Sequence, residues 1–274
     1  MGNIIYTKIS AYQRQEFLEK CRYLFPEMNM YAHSFIERRI AYVMEQMNIM
    51  DWEKFMESMN DSEFPENFMA KFIVPATEFF RDSEVWKVLY HTILPKILMF
   101  DPCVIWIPDC TSGKELFSLL ILLEIMGVRK RVSVIVGCKS KHIIKNIQKA
   151  SYPLHTEMIL QSNFKATAIP FDIGDFYHKN VNSIVFQKHL LETVTFVESS
   201  SILSQNPPNV SFVLYRNTLL YVSLKNQHTF IAHIYKNMQY GGYLALGLKE
   251  GKSVFEIKTL FSLEYPDELI YRKK

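Results

Sequence analysis

The stretch Val104-Ile105-Trp106-Ile107-Pro108-Asp109-Cys110-Thr111-Ser112-Gly113-Lys114-Glu115-Leu116-Phe117-Ser118 decides the fold. Val104 to Ile107 is a short apolar run rich in β-branched residues, the pattern of a buried strand. Pro108 to Gly113 holds turn formers, and Glu115 to Met126 is a run of good helix formers almost without polar breaks. Strand, tight turn and helix open a nucleotide-binding α/β fold, whose ligands sit beyond the carboxyl ends of the strands. Only Gly113 is present, so there is no G-x-G-x-x-G fingerprint. Lys114 after Gly113 lacks the upstream glycine and the following Ser or Thr of a phosphate loop.

Outward from this stretch the pattern alternates. Strands are expected at 104–107, 132–136, 194–197, 211–214 and 243–247, and helices at about 114–126, 140–150 and 223–238. Such alternation argues a mainly parallel sheet with helices on both faces. Residues 1–70 read instead as helices, with Phe35, Ile36, Ile40, Val43 and Met47 on one face of the second and Asp51 as N-cap of the third. Asp82 or Ser83 caps a helix over 84–99, which Pro95 bends or ends. Residues 152–193 break the rhythm with Pro153, Pro170 and Gly174, and read as an insertion of short antiparallel strands. Residues 254–262 and 269–272 are expected to close the chain as an antiparallel pair.

Composition narrows the class. With 49% hydrophobic and 14% aromatic residues the chain builds a core rather than remaining disordered. A net charge of +3 without a long Lys/Arg run argues against nucleic acid. Cys21, Cys103, Cys110 and Cys138 lack metal-ligand spacing and read as reduced, buried thiols of a cytoplasmic protein. The histidines show no helical pair with a third ligand, so no metal is assigned. Met1 to Ser10 lacks the pattern of a signal peptide, Tyr6 stands where a myristoylation pattern needs Ser or Thr, and no apolar run is long enough for membrane insertion.

Several stretches, in order, resemble the CheR-type chemotaxis receptor methyltransferases. Thr77-Glu78-Phe79-Phe80-Arg81-Asp82 is similar to that family's Thr-x-Phe-Phe-Arg segment. Trp106 to Ser118 matches its Trp-Ser-Ala-x-x-Ser-Thr-Gly-Glu-Glu-Pro-Tyr-Ser loop without gaps. Tyr215-Arg216-Asn217-Thr218-Leu219-Leu220-Tyr221 resembles Cys-Arg-Asn-Val-x-Ile-Tyr, and Gly241 to Gly247 resembles Gly-Gly-x-Leu-x-x-Gly. The resemblance implies a Rossmann-like class I methyltransferase sheet over 71–274, an N-terminal helical subdomain over 1–70, and a small β insertion at 152–193 that contacts receptors. It also implies a cytoplasmic, monomeric enzyme that uses S-adenosylmethionine to methylate glutamates on acidic receptor helices.

Carried over residue by residue, Thr77 and Arg81 would line the cofactor site, and Arg81 would hold the substrate carboxylate. Glu115 would accept bonds from the methionine ammonium, Asn217 would line the pocket, and Tyr221 would sit near the reacting centre. The Thr77 to Arg81 segment is expected to face the turn from Asp109 to Gly113. Arg38 and Arg39 read as a solvated helix face or as a steering surface for acidic helices.

The departures from the family are informative. Its strand-two acid, which binds the ribose hydroxyls, is Cys138 here. Pro75 replaces an Asn that contacts the cofactor, Lys114 replaces a Glu, and Ser200 replaces an Asn near the adenine. The His-Ser-Glu after the fifth strand reads Leu248-Lys249-Glu250. Asp109 places a new carboxylate in the turn. Loss of a charged acceptor to two hydroxyls costs about 1.5–3 kcal/mol. These changes keep a second expectation in play, a catalytically inactive CheR-like adaptor that works through protein contacts.

Overall fold

The computed structural model describes residues 8–74, 78–250 and 255–274, the side chains of 255 and 256 excepted. Two compact units divide the chain, one comprising residues 1–74 with 220–227 and the other 75–219 with 228–274. The first is helical: α1 Ala11–Lys20, α2 His33–Gln46, α3 Trp52–Ser58 and α4 Phe64–Phe72. Local chemistry sets these boundaries. Ser10 and Gln13 close a capping box on α1, Asp51 accepts the Lys54 N–H at the start of α3, and Pro65 occupies the first turn of α4, where no N–H is needed. A chain of rings, Phe17, Phe55, Phe64, Phe68 and Phe72, fills the core.

The two arginines of α2 have parted roles. Arg39 turns inward, and its Nε donates to the carbonyl of Phe72 at 2.7 Å, at the C-terminus of α4. Arg38 stays exposed, its Nε donating to Ser34 O at 3.2 Å. Tyr221 belongs to this helical unit, with its ring stacked on Phe35 at 4.5 Å and its carbonyl accepting the Ala32 N–H at 2.8 Å.

The second unit opens with α5 Ser83–Val88, which passes through a π turn at Leu89–Ile93 into α6 Leu94–Ile97. Pro95, in the first turn of α6, has no N–H to give, and the widened turn keeps the helix continuous up to it. The main sheet holds β1 Cys103–Ile107, β2 Val132–Cys138, β6 Val194–Glu198, β7 Val210–Tyr215, β8 Met238–Leu246, β9 Phe261–Tyr265 and β10 Ile270–Lys273. Its order is β6-β2-β1-β7-β8-β10-β9. The strands from β6 to β8 run parallel, and β10 is antiparallel to both its neighbours. Every residue of β1 and β7 is buried, which is why β1 reads as an unbroken apolar run and β7 as one broken only by Ser211. The crossover helices are α7 Lys114–Ile125, α8 Lys141–Gln148 and α10 Leu224–Asn237. Chain order reverses between β1 and β7, the switch point at which such sheets take ligands.

Residues 151–186 form a separate sheet of β3 Ser151–Pro153, β4 Tyr177–Lys179 and β5 Ser183–Phe186, all antiparallel. The insertion also carries α9 Glu157–Ala166, which the sequence reading passed over. Pro153 and Pro170 lie outside it, and Leu160 and Phe164 make its buried face. A second correction falls on 254–262: residues 255–260 are α11, and the strand that pairs with β10 starts only at Phe261. A short apolar run cannot be told from a strand by periodicity alone.

Gly137, in β2, is packed by fixed atoms. A Cβ there would lie 2.3 Å from the carbonyl oxygen of Pro108 and 2.3 Å from Gln205 Oε1. Gln205 is held in place, accepting from Trp106 Nε1 at 2.9 Å and donating to Pro108 O at 2.8 Å. Gly137→Ala is therefore expected to destabilise the protein by about 1–3 kcal/mol, the usual scale of overpacking, as read by urea denaturation.

Candidate functional site

The loop from Pro108 to Gly113 ties β1 to α7 and to the insertion. Gly113 takes φ +78°, and a Cβ on it would meet Tyr152 Oη at 2.6 Å and Ile147 Cγ2 at 2.9 Å. That glycine is required by the chain's own packing. The Tyr152 hydroxyl donates to Ser112 O at 2.8 Å, anchoring β3 of the insertion on the loop.

Segments after three parallel strands meet beside this loop. Past β1, the Cys110 N–H donates to Gly137 O at 2.8 Å. At the end of β2, the buried Cys138 thiol is pushed far above its ordinary range by its hydrogen bond with Cys110, by burial, and by Asp109 nearby. Lys139 Nζ lies 3.7 Å from Asp109 Oδ2 and 3.4 Å from the carbonyl of Ser200, past β6. The Lys139 and Asp109 side chains are only 10% and 7% exposed, and Asp109 Oδ1 is buried without a hydrogen-bond partner. Ser200 itself is exposed.

A second group of charges surrounds the start of α7. Arg216, directly after β7, has a fully buried side chain. Its Nη1 donates to Glu115 Oε1 at 3.0 Å and to the carbonyl of Arg81 at 3.2 Å, and its Nη2 lies 2.5 Å from Asp82 Oδ2. Asp82 is the N-cap residue of α5 at φ 58°, yet its side chain makes no cap bond. Its carboxylate serves Arg216 instead. Burial pushes the Glu115 carboxyl above its ordinary value, with Arg216 and then Arg81 opposing that shift. The Arg81 carbonyl also accepts from Trp86 Nε1 at 2.9 Å, while the Arg81 guanidinium makes one loose contact, Nε to Asp82 Oδ2 at 4.0 Å. Upstream, the Phe80 N–H donates to Ser118 Oγ of α7 at 2.9 Å, and the Phe79 ring packs against Tyr152. Burial lowers the pKa of Lys114, whose Nζ lies 5.8 Å from the Phe79 ring.

At the ends of β7 and β8, buried Glu250 accepts the backbone N–H groups of Asn217 and Gly247, each at 2.7 Å. It fixes Asn217 at φ 59°.

Of the residues singled out in the sequence, Arg81 and Glu115 come together around Arg216. Asp109, Cys138 and the Ser200 carbonyl gather around Lys139. Asn217 is half-buried next to Arg216, Tyr221 lies in the helical unit, and Thr77 and Pro75 fall outside the described residues. Sequence reasoning gave Asp82 only the role of a helix cap, and gave none to Lys139, Gln205 or Arg216. Arg216 stood inside a quoted segment, and that was its only signal. Among the described residues no group of His, Cys, Asp and Glu is arranged to hold a metal ion, and no helix is long and apolar enough to cross a membrane.

Residues 75–265 match the family model described as CheR methyltransferase, SAM binding domain. The chain belongs to the CheR methyltransferase family. It is 21% identical over 244 residues to a Pseudomonas putida protein that carries the name of a methyltransferase, Cher3, covering 89% of each chain. It is 22% identical over 230 residues to a chemotaxis protein methyltransferase of Listeria monocytogenes, covering 82% of this chain and 84% of the relative. S-adenosylmethionine is the cofactor of the matched domain. The residues present suit it in kind: Glu115 offers a carboxylate for an ammonium, and Asp109 Oδ1 offers an unmatched acceptor. Cys138 offers neither charge nor a strong acceptor.

The Arg216 cluster should govern stability in this CheR domain. Arg216→Met leaves Glu115 and Asp82 without their common partner, and because both keep some solvent contact the expected loss is about 2–4 kcal/mol by urea denaturation. The pH dependence has a fixed sign. A carboxyl whose folded pKa lies above its ordinary value of 4.5 binds more protons folded than unfolded, so its contribution falls as pH rises through that window. Removing Arg216 takes away the largest opposing influence and widens the window upward. The variant should therefore lose stability with rising pH over a broader range than the wild type.

Proposed function

We propose that this protein transfers the methyl group of S-adenosylmethionine to glutamate carboxylates on acidic helices of a chemotaxis-type receptor. The observation that carries this reading is Arg81. Its backbone is clamped by Trp86 and Arg216, while its side chain is 38% exposed and holds only a loose contact to Asp82. A guanidinium so mounted can grip a substrate carboxylate by two parallel bonds and leave a lone pair to attack. The bound cofactor supplies an electrophilic methyl on a sulfonium. The substrate is its own nucleophile, so no strong base is required, and the protein's part is alignment and exclusion of water.

Within this reading Glu115 takes the methionine ammonium and Asn217, fixed by Glu250, lines the pocket. Thr77 and Tyr221 enter through the family resemblance alone. Exposed Arg38 on α2 is assigned to steering of acidic helices. The enzyme is assigned to the cytoplasm and works as a monomer.

A second reading is favoured by one observation. The Lys139 ammonium lies where the ends of β1, β2 and β6 meet, beside a neutral thiol at the usual position of the ribose acid. A cofactor site weakened there leaves a CheR-like adaptor acting through protein contacts.

Transfer of labelled methyl groups to a receptor fragment, together with calorimetry of S-adenosylhomocysteine, separates the two. For the enzyme, Arg81→Ala abolishes transfer and weakens S-adenosylhomocysteine binding by less than about tenfold. Arg81→Lys is also poor, because an ammonium lacks the two-pronged contact. Wild-type rates in either variant would remove Arg81 from the mechanism. Absence of S-adenosylhomocysteine binding by the wild type would establish the adaptor.

A further inference from the structure

We propose that Asp109, oriented by Lys139, is the ribose-binding carboxylate of this domain, in place of the acid missing from the end of β2. The inference rests on the methyltransferase reading and names the group that holds the sugar.

Doubly wound sheets read ribose hydroxyls with a carboxylate near the carboxyl end of the second strand. Here that residue is Cys138, a buried thiol already hydrogen-bonded to Cys110. A thiol is a weak donor and a weak acceptor, and cannot hold two hydroxyls. Asp109 starts from the neighbouring strand, two residues past the end of β1, and its carboxylate comes close enough to Cys138 to influence that thiol. It therefore brings a charge to the place that the β2 residue leaves neutral.

The two oxygens of Asp109 differ. Oδ2 faces Lys139 Nζ at 3.7 Å, and that ammonium is in turn held by the Ser200 carbonyl at 3.4 Å. Oδ1 is buried and has no hydrogen-bond partner, in a side chain only 7% exposed. Buried carboxylate oxygens without donors are rare because they are costly, and each calls for an explanation. Vicinal ribose hydroxyls are neutral donors, which a single lone oxygen beside an ion pair accepts without a further change in charge. Lys139 gives Oδ2 a counter-charge when the sugar is absent and leaves Oδ1 as the oxygen without a donor.

The test uses the full chain and calorimetry with S-adenosylhomocysteine and its 2′-deoxy and 3′-deoxy counterparts. Wild-type protein should bind the parent compound and lose about ten- to a hundredfold in affinity for at least one deoxy compound, the scale of a charge-assisted hydrogen bond. Asp109→Asn should weaken the parent compound and shrink that discrimination to within about threefold. Cys138→Asp should bring no tightening, since a second carboxylate beside Asp109 meets repulsion rather than an empty role. Discrimination retained in Asp109→Asn, or tenfold tightening in Cys138→Asp, would overturn the assignment and leave the methyltransferase reading standing. Wild-type binding that is equal for all three compounds would overturn it without recourse to any variant. No wild-type binding of the parent compound would overturn the methyltransferase reading, and this assignment with it.

Discussion

The buried guanidinium of Arg216 is the interaction on which the rest of the site depends. Taking an ion of that size out of water costs several kcal/mol even after relaxation, so the arrangement depends on the partners of its two terminal nitrogens, Nε being buried without one. Those partners come from the N-cap of α5, the first turn of α7 and the carbonyl of Arg81. One planar group thus fixes two segments, residues 81–82 and the first turn of α7, relative to the end of β7. Two parallel N–H directions and a rigid fork let it serve both carboxylates and a carbonyl, which an ammonium could not do with the same geometry. Asp82 forgoes its cap bond to take part. The strain of a left-handed residue at the helix start is set against a charge-assisted contact to Arg216.

The site follows from how this frame meets the loop after β1. The aromatic packing of Phe79 on Tyr152, and of Phe80 on Trp86 and Phe164, immobilises the backbone from which Arg81 projects. Tyr152 also reaches Ser112, so the insertion, the cofactor loop and the Arg81 segment share one packed junction. Rigid mounting matters for methyl transfer, because alignment is a large part of what a protein can contribute to it.

Much of this frame was legible in the sequence, and the reasons for success and failure are physical. The 104–118 stretch announced itself because a fully buried parallel strand and a nearly all-apolar helix leave a local signature. Asp51 and Ser140 were readable as boundaries because capping is a contact between near neighbours in sequence. Arg216 gave no local signal of burial: a charged residue after a strand ordinarily faces water, and its carboxylate partners lie 134 and 101 residues away. The same holds for Lys139, whose partners come from the ends of other strands. Helix α9 was hidden by flanking prolines, and α11 by an apolar run that fits either periodicity. The resemblance to the CheR family brought Arg81 and Glu115 forward, but it pointed at positions and not at the ion pairs that hold them.

Lys139 changes what the crevice costs when empty. A lone carboxylate at the end of β2 would stand partly desolvated until a sugar arrived, and its pKa would climb in response. Pairing Asp109 with Lys139 gives that charge a partner in the free protein. Neither member of the pair then depends on a ligand for its opposite charge. The same pair carries a penalty for a cationic ligand, because the ammonium offsets the attraction that an unaccompanied carboxylate would exert. The charge pair at the ends of β1 and β2 therefore supplies the local charge beside the Cys138 thiol, whose pKa is raised by its hydrogen bond with Cys110 and by burial.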